Sequence, residues 1–150
     1  MPGKIFVNYR RGDDSGFALA LFSQLELTFP QEQLFMDVEG GIAAGADFVR
    51  VLERQIEASD IVLAVIGPGW LNITDEIGRR RLENPADFVR VEIASAIRAE
   101  KRVIPVLVNR AEMPRATELP EELRILSRLN AVRLTQERFK PDAQGLISRP

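Results

Sequence analysis

Short apolar runs alternate with amphipathic segments along this sequence, and the alternation decides the fold class. The clearest runs are Ile61 to Ile66 and Val103 to Val108, in which apolar and polar residues do not alternate. A strand of this kind is typical of a sheet that is covered on both faces. Strands that alternate with helices predict right-handed crossovers and a parallel sheet.

The same pattern predicts five strands and five helices. The strands are expected at residues 4–9, 34–38, 61–66, 103–108 and 131–134, and the helices at 16–29, 48–58, 85–100, 121–129 and 142–148. This order predicts a flavodoxin-like α/β fold, in which a five-stranded parallel sheet of order 2-1-3-4-5 carries helices on both faces. Ligands of such sheets bind beyond the carboxyl ends of the strands where the order reverses, so loops 9–14 and 67–72 are expected to flank the site.

The composition narrows the available chemistry. The 150 residues contain no cysteine and no histidine, which excludes disulfides, thiol nucleophiles, imidazole bases and almost every zinc site. A net charge of −2, without a local basic patch, gives no indication of nucleic-acid binding. No apolar stretch approaches the roughly 18 residues that span a bilayer, and the start of the chain does not resemble a signal peptide. We therefore expect a single soluble, cytoplasmic domain with its core at about residues 4–134.

Two arginines, Arg10 and Arg11, directly follow the first predicted strand. Guanidinium groups at the point where the strand order reverses suit the recognition of phosphate or carboxylate groups. The alternative is that both arginines are exposed and pair with Asp13 and Asp14. Position alone leaves these two interpretations open.

Glu92 lies in the middle of the third predicted helix. Phe88 precedes it by four residues and Ser95 follows it by three, so the three side chains share one helical face. A carboxylate so close to an apolar face is partly buried or turned toward a cleft, and buried carboxylates mark candidate functional sites. The alternative is that Glu92 lies at the edge of the apolar stripe and pairs with Arg90 or Arg98.

A glycine-rich loop follows the second predicted strand. Asp37, at the end of that strand, is placed to accept hydrogen bonds from the loop backbone or to reach a sugar hydroxyl. Loop 39–47 has the composition of a mobile lid. It has neither the spacing nor the lysine of a phosphate-binding P-loop, which excludes an ATPase of that class.

Several segments resemble the TIR (Toll/interleukin-1 receptor) domain family, in the order in which the family has them. FVNYRRGDDS is similar to the first box of the family, LFMDVEGGIAAGADF to its second strand and BB loop, and DIVLAVIGPGWL to its third strand. DFVRVEIASAI resembles the helix that carries an aromatic residue and, four residues later, the catalytic glutamate. KRVIPVLV resembles the fourth strand, and the similarity covers roughly residues 4–134. The greatest similarity is to the bacterial and the NAD⁺-cleaving members.

The resemblance implies a NAD⁺ glycohydrolase, which breaks the bond between nicotinamide and ribose and releases nicotinamide with ADP-ribose or a cyclic ADP-ribose. Glu92 takes the position of the catalytic carboxylate, and Arg10 and Arg11 take those of the arginines beside the bound nucleotide. Phe88 stands where the family usually has tryptophan, and Asp37 completes the predicted nucleotide-binding set. NAD⁺ is the expected substrate, and neither a metal nor a further cofactor is expected.

The family also contains non-catalytic modules, so an interaction role stays open. Many TIR domains are adaptors that self-associate or bind other TIR domains, and a bacterial adaptor of this kind would interfere with TIR signalling of a host. Glu92 together with Arg10 and Arg11 favours the enzyme. For an enzyme, the resemblance implies activity that depends on self-association. The last predicted helix is cut short at ISRP, which predicts a fragment of a longer protein.

Overall fold

Five strands form one parallel sheet in this protein. The computed structural model describes residues 4–10, 12–13, 15–36, 47–135 and 138–147. The strands are β1 (Ile5–Tyr9), β2 (Leu34–Met36), β3 (Ile61–Ile66), β4 (Arg102–Val108) and β5 (Val132–Leu134). Their order in the sheet is 2-1-3-4-5, which confirms the predicted topology. The bounds of β1, β3, β4 and β5 agree with the predicted bounds to within one residue.

Four α-helices lie among the described residues, with bounds that differ in places from the predicted ones. They are α1 (Ser15–Glu26), α2 (Phe48–Glu57), α3 (Phe88–Arg98) and α4 (Phe139–Ile147). α3 begins three residues later than predicted, because the carboxylate of Asp87 caps the helix by accepting from the backbone N–H of Arg90 at 3.1 Å. The segment Glu121–Arg128, predicted as a helix, is a 3₁₀ helix.

Helices cover both faces of the sheet, as predicted. Ile56 of α2 belongs to one apolar cluster with Val89 and Ile93 of α3 and with Trp70. Leu21 and Leu25 of α1 belong to a second cluster, against which Phe139 and Ile147 of α4 pack. None of the helices in the described ranges is long and apolar enough to cross a membrane.

β1 is the strand that presents side chains to both helical layers near the candidate site. It lies between β2 and β3, so that Ile5 pairs with Leu34 on one side and with Ile61 on the other. Ile5 and Val7 belong to the cluster beside α1, whereas Phe6 belongs to the cluster beside α3. Because side chains alternate along a strand, Asn8 shares the face of Phe6 and is directed toward α3.

Candidate active site

Glu92 is buried in the middle of α3. Its side chain is 1% exposed, and the flanking residues Val91 and Ile93 are also buried. Oε1 of Glu92 accepts a hydrogen bond of 2.7 Å from Nδ2 of Asn8. The carboxylate therefore lies in the layer between α3 and the sheet, beside the carboxyl half of β1.

The alternative placement of Glu92, at the edge of the apolar stripe, is wrong. Arg90 donates instead to the carboxylate of Glu122. Arg98 donates to the carboxylate of Glu53 at 3.3 Å. These arginines thus interact with neighbouring elements, while the buried side of α3 carries Glu92.

Asn8 is the polar side chain that β1 contributes to this layer. It is 0% exposed. Because an ionised carboxylate only accepts hydrogen bonds, the amide nitrogen of Asn8 must face Glu92, and the amide oxygen must face another way. This oxygen, Oδ1, has no hydrogen-bond partner among the residues that the structure describes. The site thus contains a carboxylate, the amide that holds it, and a nearby hydrogen-bond acceptor.

Asn8 is absent from the residues predicted from the sequence, although a signal for it is present. Asn8 is a polar residue within the otherwise apolar and aromatic run Ile5–Tyr9. The period of two along a strand that is buried on both faces places its side chain in a helical layer. A polar group in such a layer needs a partner, and the carboxylate of Glu92 supplies one.

Arg10 is a buried residue that anchors the first turn of α3. Its side chain is 2% exposed, and Nη1 and Nη2 donate to the two carboxylate oxygens of Asp87 at 2.5 and 2.8 Å. Since Asp87 also caps α3, this pair connects the end of β1 to the helix that carries Glu92. The alternative in which Arg10 is exposed and pairs with Asp13 is wrong.

Asp13 connects the two loops that are expected to flank a ligand. Its carboxylate accepts from the backbone N–H groups of Gly67 and Gly69 at 3.1 and 2.8 Å. A Cβ atom added to Gly67 would lie 2.8 Å from both carboxylate oxygens. The loop after β1 and the loop after β3 are thus held together, and the carboxylate of Asp13 occupies the space between them.

Phe88, the first residue of α3, is half-buried. Its ring stacks on that of Phe48, the first residue of α2, with 5.1 Å between the centroids and 22° between the planes. Phe88 and Asp87 also line a cleft of about 260 Å³, together with Asp75, Arg81 and Asn84. The cleft therefore offers an aromatic ring and charged groups at the helix end nearest to Arg10.

Ser95, predicted on the face of Phe88 and Glu92, lines a different depression. This depression of about 440 Å³ lies between α2 and α3, and its lining residues are Arg50, Glu53, Arg54, Glu57, Ser95, Arg98 and Ala99. Ser95 is buried and accepts from Nη2 of Arg98 at 3.3 Å. The spacing along α3 is thus as predicted, but Phe88, Glu92 and Ser95 have three different surroundings.

Part of the predicted nucleotide-binding set lies outside the described residues. These members are Arg11 and Asp37; loop 39–47, which the sequence predicts as a lid, also lies outside the described residues except for its last residue. That residue, Asp47, caps α2 by accepting from the backbone N–H of Val49 at 3.2 Å. Of the two described members of the set, Phe88 is the first residue of α3, and Arg10, which follows β1, contacts Asp87 at the same end of that helix.

The described part of the chain offers carboxylate and amide groups at the candidate site. Within that part, no three His, Cys, Asp or Glu side chains are placed to hold a metal ion. A buried carboxylate such as Glu92 is able to stabilise a positive charge that develops next to it, because few water molecules screen the interaction.

The chain is similar to known TIR proteins along almost its whole length. The family model described as TIR domain matches residues 5–147. A protein of Drosophila melanogaster named NAD(+) hydrolase sarm1 is 31% identical over 130 residues, which cover 85% of this chain and 9% of that protein. A protein of Caenorhabditis elegans named NAD(+) hydrolase tir-1 is 26% identical over 132 residues, which cover 86% of this chain and 12% of that protein. The chain thus spans about a tenth of the length of either relative.

A solved structure supports the fold independently. The TIR domains of the activated Roq1 resistosome, which directly recognises the pathogen effector XopQ, superpose on this chain with a TM-score of 0.66. The superposition covers 97% of both chains at 14% sequence identity. At this identity the similarity establishes the fold.

Proposed function

Because the chain belongs to the TIR domain family, we propose that it is a NAD⁺ glycohydrolase with Glu92 as its catalytic carboxylate. The observation that carries the proposal is the buried carboxylate of Glu92, which lies between α3 and β1 and accepts from Asn8 at 2.7 Å. Support for the substrate comes from the two relatives that are named NAD(+) hydrolase.

The proposed reaction breaks the bond between C1′ of ribose and the ring nitrogen of nicotinamide. Nicotinamide leaves as a neutral molecule, so the enzyme does not need an acid to protonate it. The ribose develops positive charge, as the sugar does in glycoside hydrolysis, and Glu92 stabilises this charge electrostatically. Water then adds to C1′ and gives ADP-ribose, whereas attack by the adenine of the same molecule gives a cyclic product.

Arg10, Arg11, Asp37 and Phe88 are the proposed nucleotide contacts. Phe88 suits this role because its half-buried ring lines a cleft. Arg10 has both Nη atoms on Asp87. Arg10 is therefore able to contact a nucleotide in two ways. It donates from Nε, which has no hydrogen-bond partner among the described residues, or its Nη atoms bind a phosphate in place of the carboxylate of Asp87.

The burial of Glu92 sets a condition on this function. A side chain that is 1% exposed contacts a substrate only after its neighbours move. We attribute this movement to self-association, since contacts that favour an open form raise its population. The proposed partners are therefore NAD⁺, further copies of this chain and other TIR domains.

The direct test of the function is product analysis. We expect the purified protein, incubated with NAD⁺ at high concentration, to release nicotinamide together with ADP-ribose or its cyclic form, measured by chromatography. Absence of nicotinamide at every protein concentration would contradict the proposal. It would make a non-catalytic adaptor, in which the TIR fold serves to bind other TIR domains, the better account.

A further inference from the structure

Asn8 carries a hydrogen-bond acceptor that the described part of the protein does not use. Its side chain is fully buried, yet Oδ1 lacks a hydrogen-bond partner among the described residues. Most buried polar atoms in native proteins have a partner, so an exception of this kind calls for an explanation. A ligand that supplies a donor is one such explanation.

The hydrogen bond to Glu92 determines the orientation of the Asn8 amide. An amide has two donors on nitrogen and an acceptor on oxygen, and an ionised carboxylate has acceptors alone. The 2.7 Å contact with Oε1 of Glu92 therefore identifies the nitrogen and leaves Oδ1 on the other branch of the same planar group. The acceptor consequently lies within one amide group of the catalytic carboxylate.

We infer that Asn8 is a ribose-binding residue of this site, with Nδ2 holding the carboxylate of Glu92 and Oδ1 accepting a hydrogen bond from a hydroxyl of the nicotinamide ribose. The inference rests on the proposed function. Glu92 must lie beside C1′ to stabilise its charge, and the hydroxyl groups of the same sugar are the nearest donors of the substrate. One planar side chain then fixes the distance between the carboxylate and the sugar.

The position of Asn8 in the fold agrees with this role. It lies one residue before the end of β1, and parallel α/β sheets bind their ligands at the carboxyl ends of strands. β1 is hydrogen-bonded on both sides, to β2 and to β3, so its backbone holds Asn8 in place. A site residue on such a strand is positioned more precisely than one on a loop.

The test combines changes in Asn8 with changes in the substrate. Two analogues of NAD⁺ are needed, one lacking the 2′-hydroxyl and one lacking the 3′-hydroxyl of the nicotinamide ribose. For each protein, kcat/KM for NAD⁺ is divided by kcat/KM for the analogue. We expect this ratio to fall about tenfold from wild type to Asn8→Ala for at least one analogue. We also expect kcat for NAD⁺ to fall on the order of 10- to 100-fold, because Glu92 loses its donor.

Two controls keep the result interpretable. Asn130→Ala changes an exposed asparagine before β5 and should leave both the ratios and kcat unchanged. Asn8→Ser places a hydroxyl where the amide was, so it should retain more activity than Asn8→Ala. If Asn8→Ala does not fold, Asn8→Ser is compared with wild type instead. Circular dichroism at the assay temperature establishes which variants are folded.

The possible outcomes separate the two proposals. An active wild type with unchanged ratios in folded Asn8 variants would overturn the ribose contact and leave the proposed function in place. A fall of the ratio with one analogue supports the contact and identifies the hydroxyl, whereas a rise would overturn it. A wild type without NAD⁺ cleavage would overturn the proposed function and, with it, this inference.

Discussion

Arg10 and Glu92 are charged residues placed where water is largely excluded. Arg10 is held by the opposite charge of Asp87 through two parallel hydrogen bonds. Glu92 accepts from the neutral amide of Asn8. Removing the partner of a buried charge usually costs more than the intact pair contributes, because the remaining charge stays desolvated. We therefore expect the pair of Arg10 and Asp87 to affect the stability of the fold strongly, independently of its proposed role in nucleotide binding.

Substitution of Arg10 tests this structural role. We expect Arg10→Ala to lower the free energy of unfolding by about 3–5 kcal/mol, since it leaves Asp87 buried without its partner. In a double-mutant cycle, the loss in Arg10→Ala/Asp87→Ala should be smaller than the sum of the two single losses. Urea denaturation measures all three variants.

An exposed ion pair provides the matched control for this cycle. Arg98 and Glu53 approach to 3.3 Å with more than two fifths of each side chain exposed. Arg98→Ala should therefore cost less than about 1 kcal/mol. If Arg10→Ala were no more destabilising than Arg98→Ala, the anchoring role of Arg10 would be wrong.

The sequence predicts some residues of the candidate site better than others. Glu92 is identified by its helical spacing from Phe88 and by the resemblance to TIR domains, and its burial is then observed. The burial of Arg10 is not predicted, because its partner Asp87 is 77 residues away along the chain. Asn8 is missed for a related reason, since its partner is 84 residues away. Local patterns do not predict contacts between residues so far apart in the sequence.

At the scale of elements, the strands that are buried on both faces are the best predicted. The apolar run of β3 has the same bounds in sequence and structure, Ile61–Ile66. Helix ends that depend on a capping residue are less well predicted, as the start of α3 at Phe88 shows. The 3₁₀ helix Glu121–Arg128 has the apolar spacing of a helix, and this spacing does not distinguish it from an α-helix.

The contact between the loops after β1 and β3 is testable at this scale. We expect Gly67→Ala to lower the free energy of unfolding by about 1–3 kcal/mol, because the new Cβ would meet both carboxylate oxygens of Asp13. Asp13→Ala should lower it by a similar amount, about 1–3 kcal/mol, because two backbone N–H groups lose their acceptor. In the Asp13→Ala background, Gly67→Ala should cost clearly less than it does alone. Thermal or urea unfolding of the four proteins measures the coupling.

Gly16 supplies the control for the glycine substitution. It lies in α1, and a Cβ added there meets nothing within 4 Å. Gly16→Ala should be neutral or stabilising by up to about 1 kcal/mol, because alanine restricts the unfolded chain and favours a helix. Equal losses for Gly67→Ala with and without Asp13 would show that the two residues do not contact each other as described.

At the scale of the whole molecule, the fold places the candidate carboxylate inside a closed layer. Glu92 lies between α3 and a sheet that is covered on its other face by α1 and α4. In the proposed function, a substrate therefore reaches Glu92 by rearrangement on the α3 side. Association of several copies is a means of favouring such a rearrangement, and its energy comes from contacts outside the site.

The proposed activation by self-association predicts that the activity depends on the protein concentration. We expect the rate of NAD⁺ cleavage per mole of protein to rise with protein concentration, because the proposed active form contains more than one copy. Light scattering on the same samples should show larger species over the same range. An inert carrier protein keeps the total protein constant, which excludes adsorption losses at low concentration. A rate per mole that is constant across this range would contradict activation by self-association.

The central claim is that Glu92 is the catalytic carboxylate, and Glu92→Gln tests it most directly. Glutamine keeps an oxygen that accepts from Asn8 and replaces the other carboxylate oxygen by an NH₂ group of similar size without charge, so the fold should be retained. The matched control is Glu26→Gln, which changes an exposed glutamate at the end of α1. With saturating NAD⁺ and high protein concentration, we predict that kcat for nicotinamide release falls about 10²- to 10³-fold in Glu92→Gln and stays unchanged in Glu26→Gln. A folded Glu92→Gln protein that releases nicotinamide at the wild-type rate would contradict the claim.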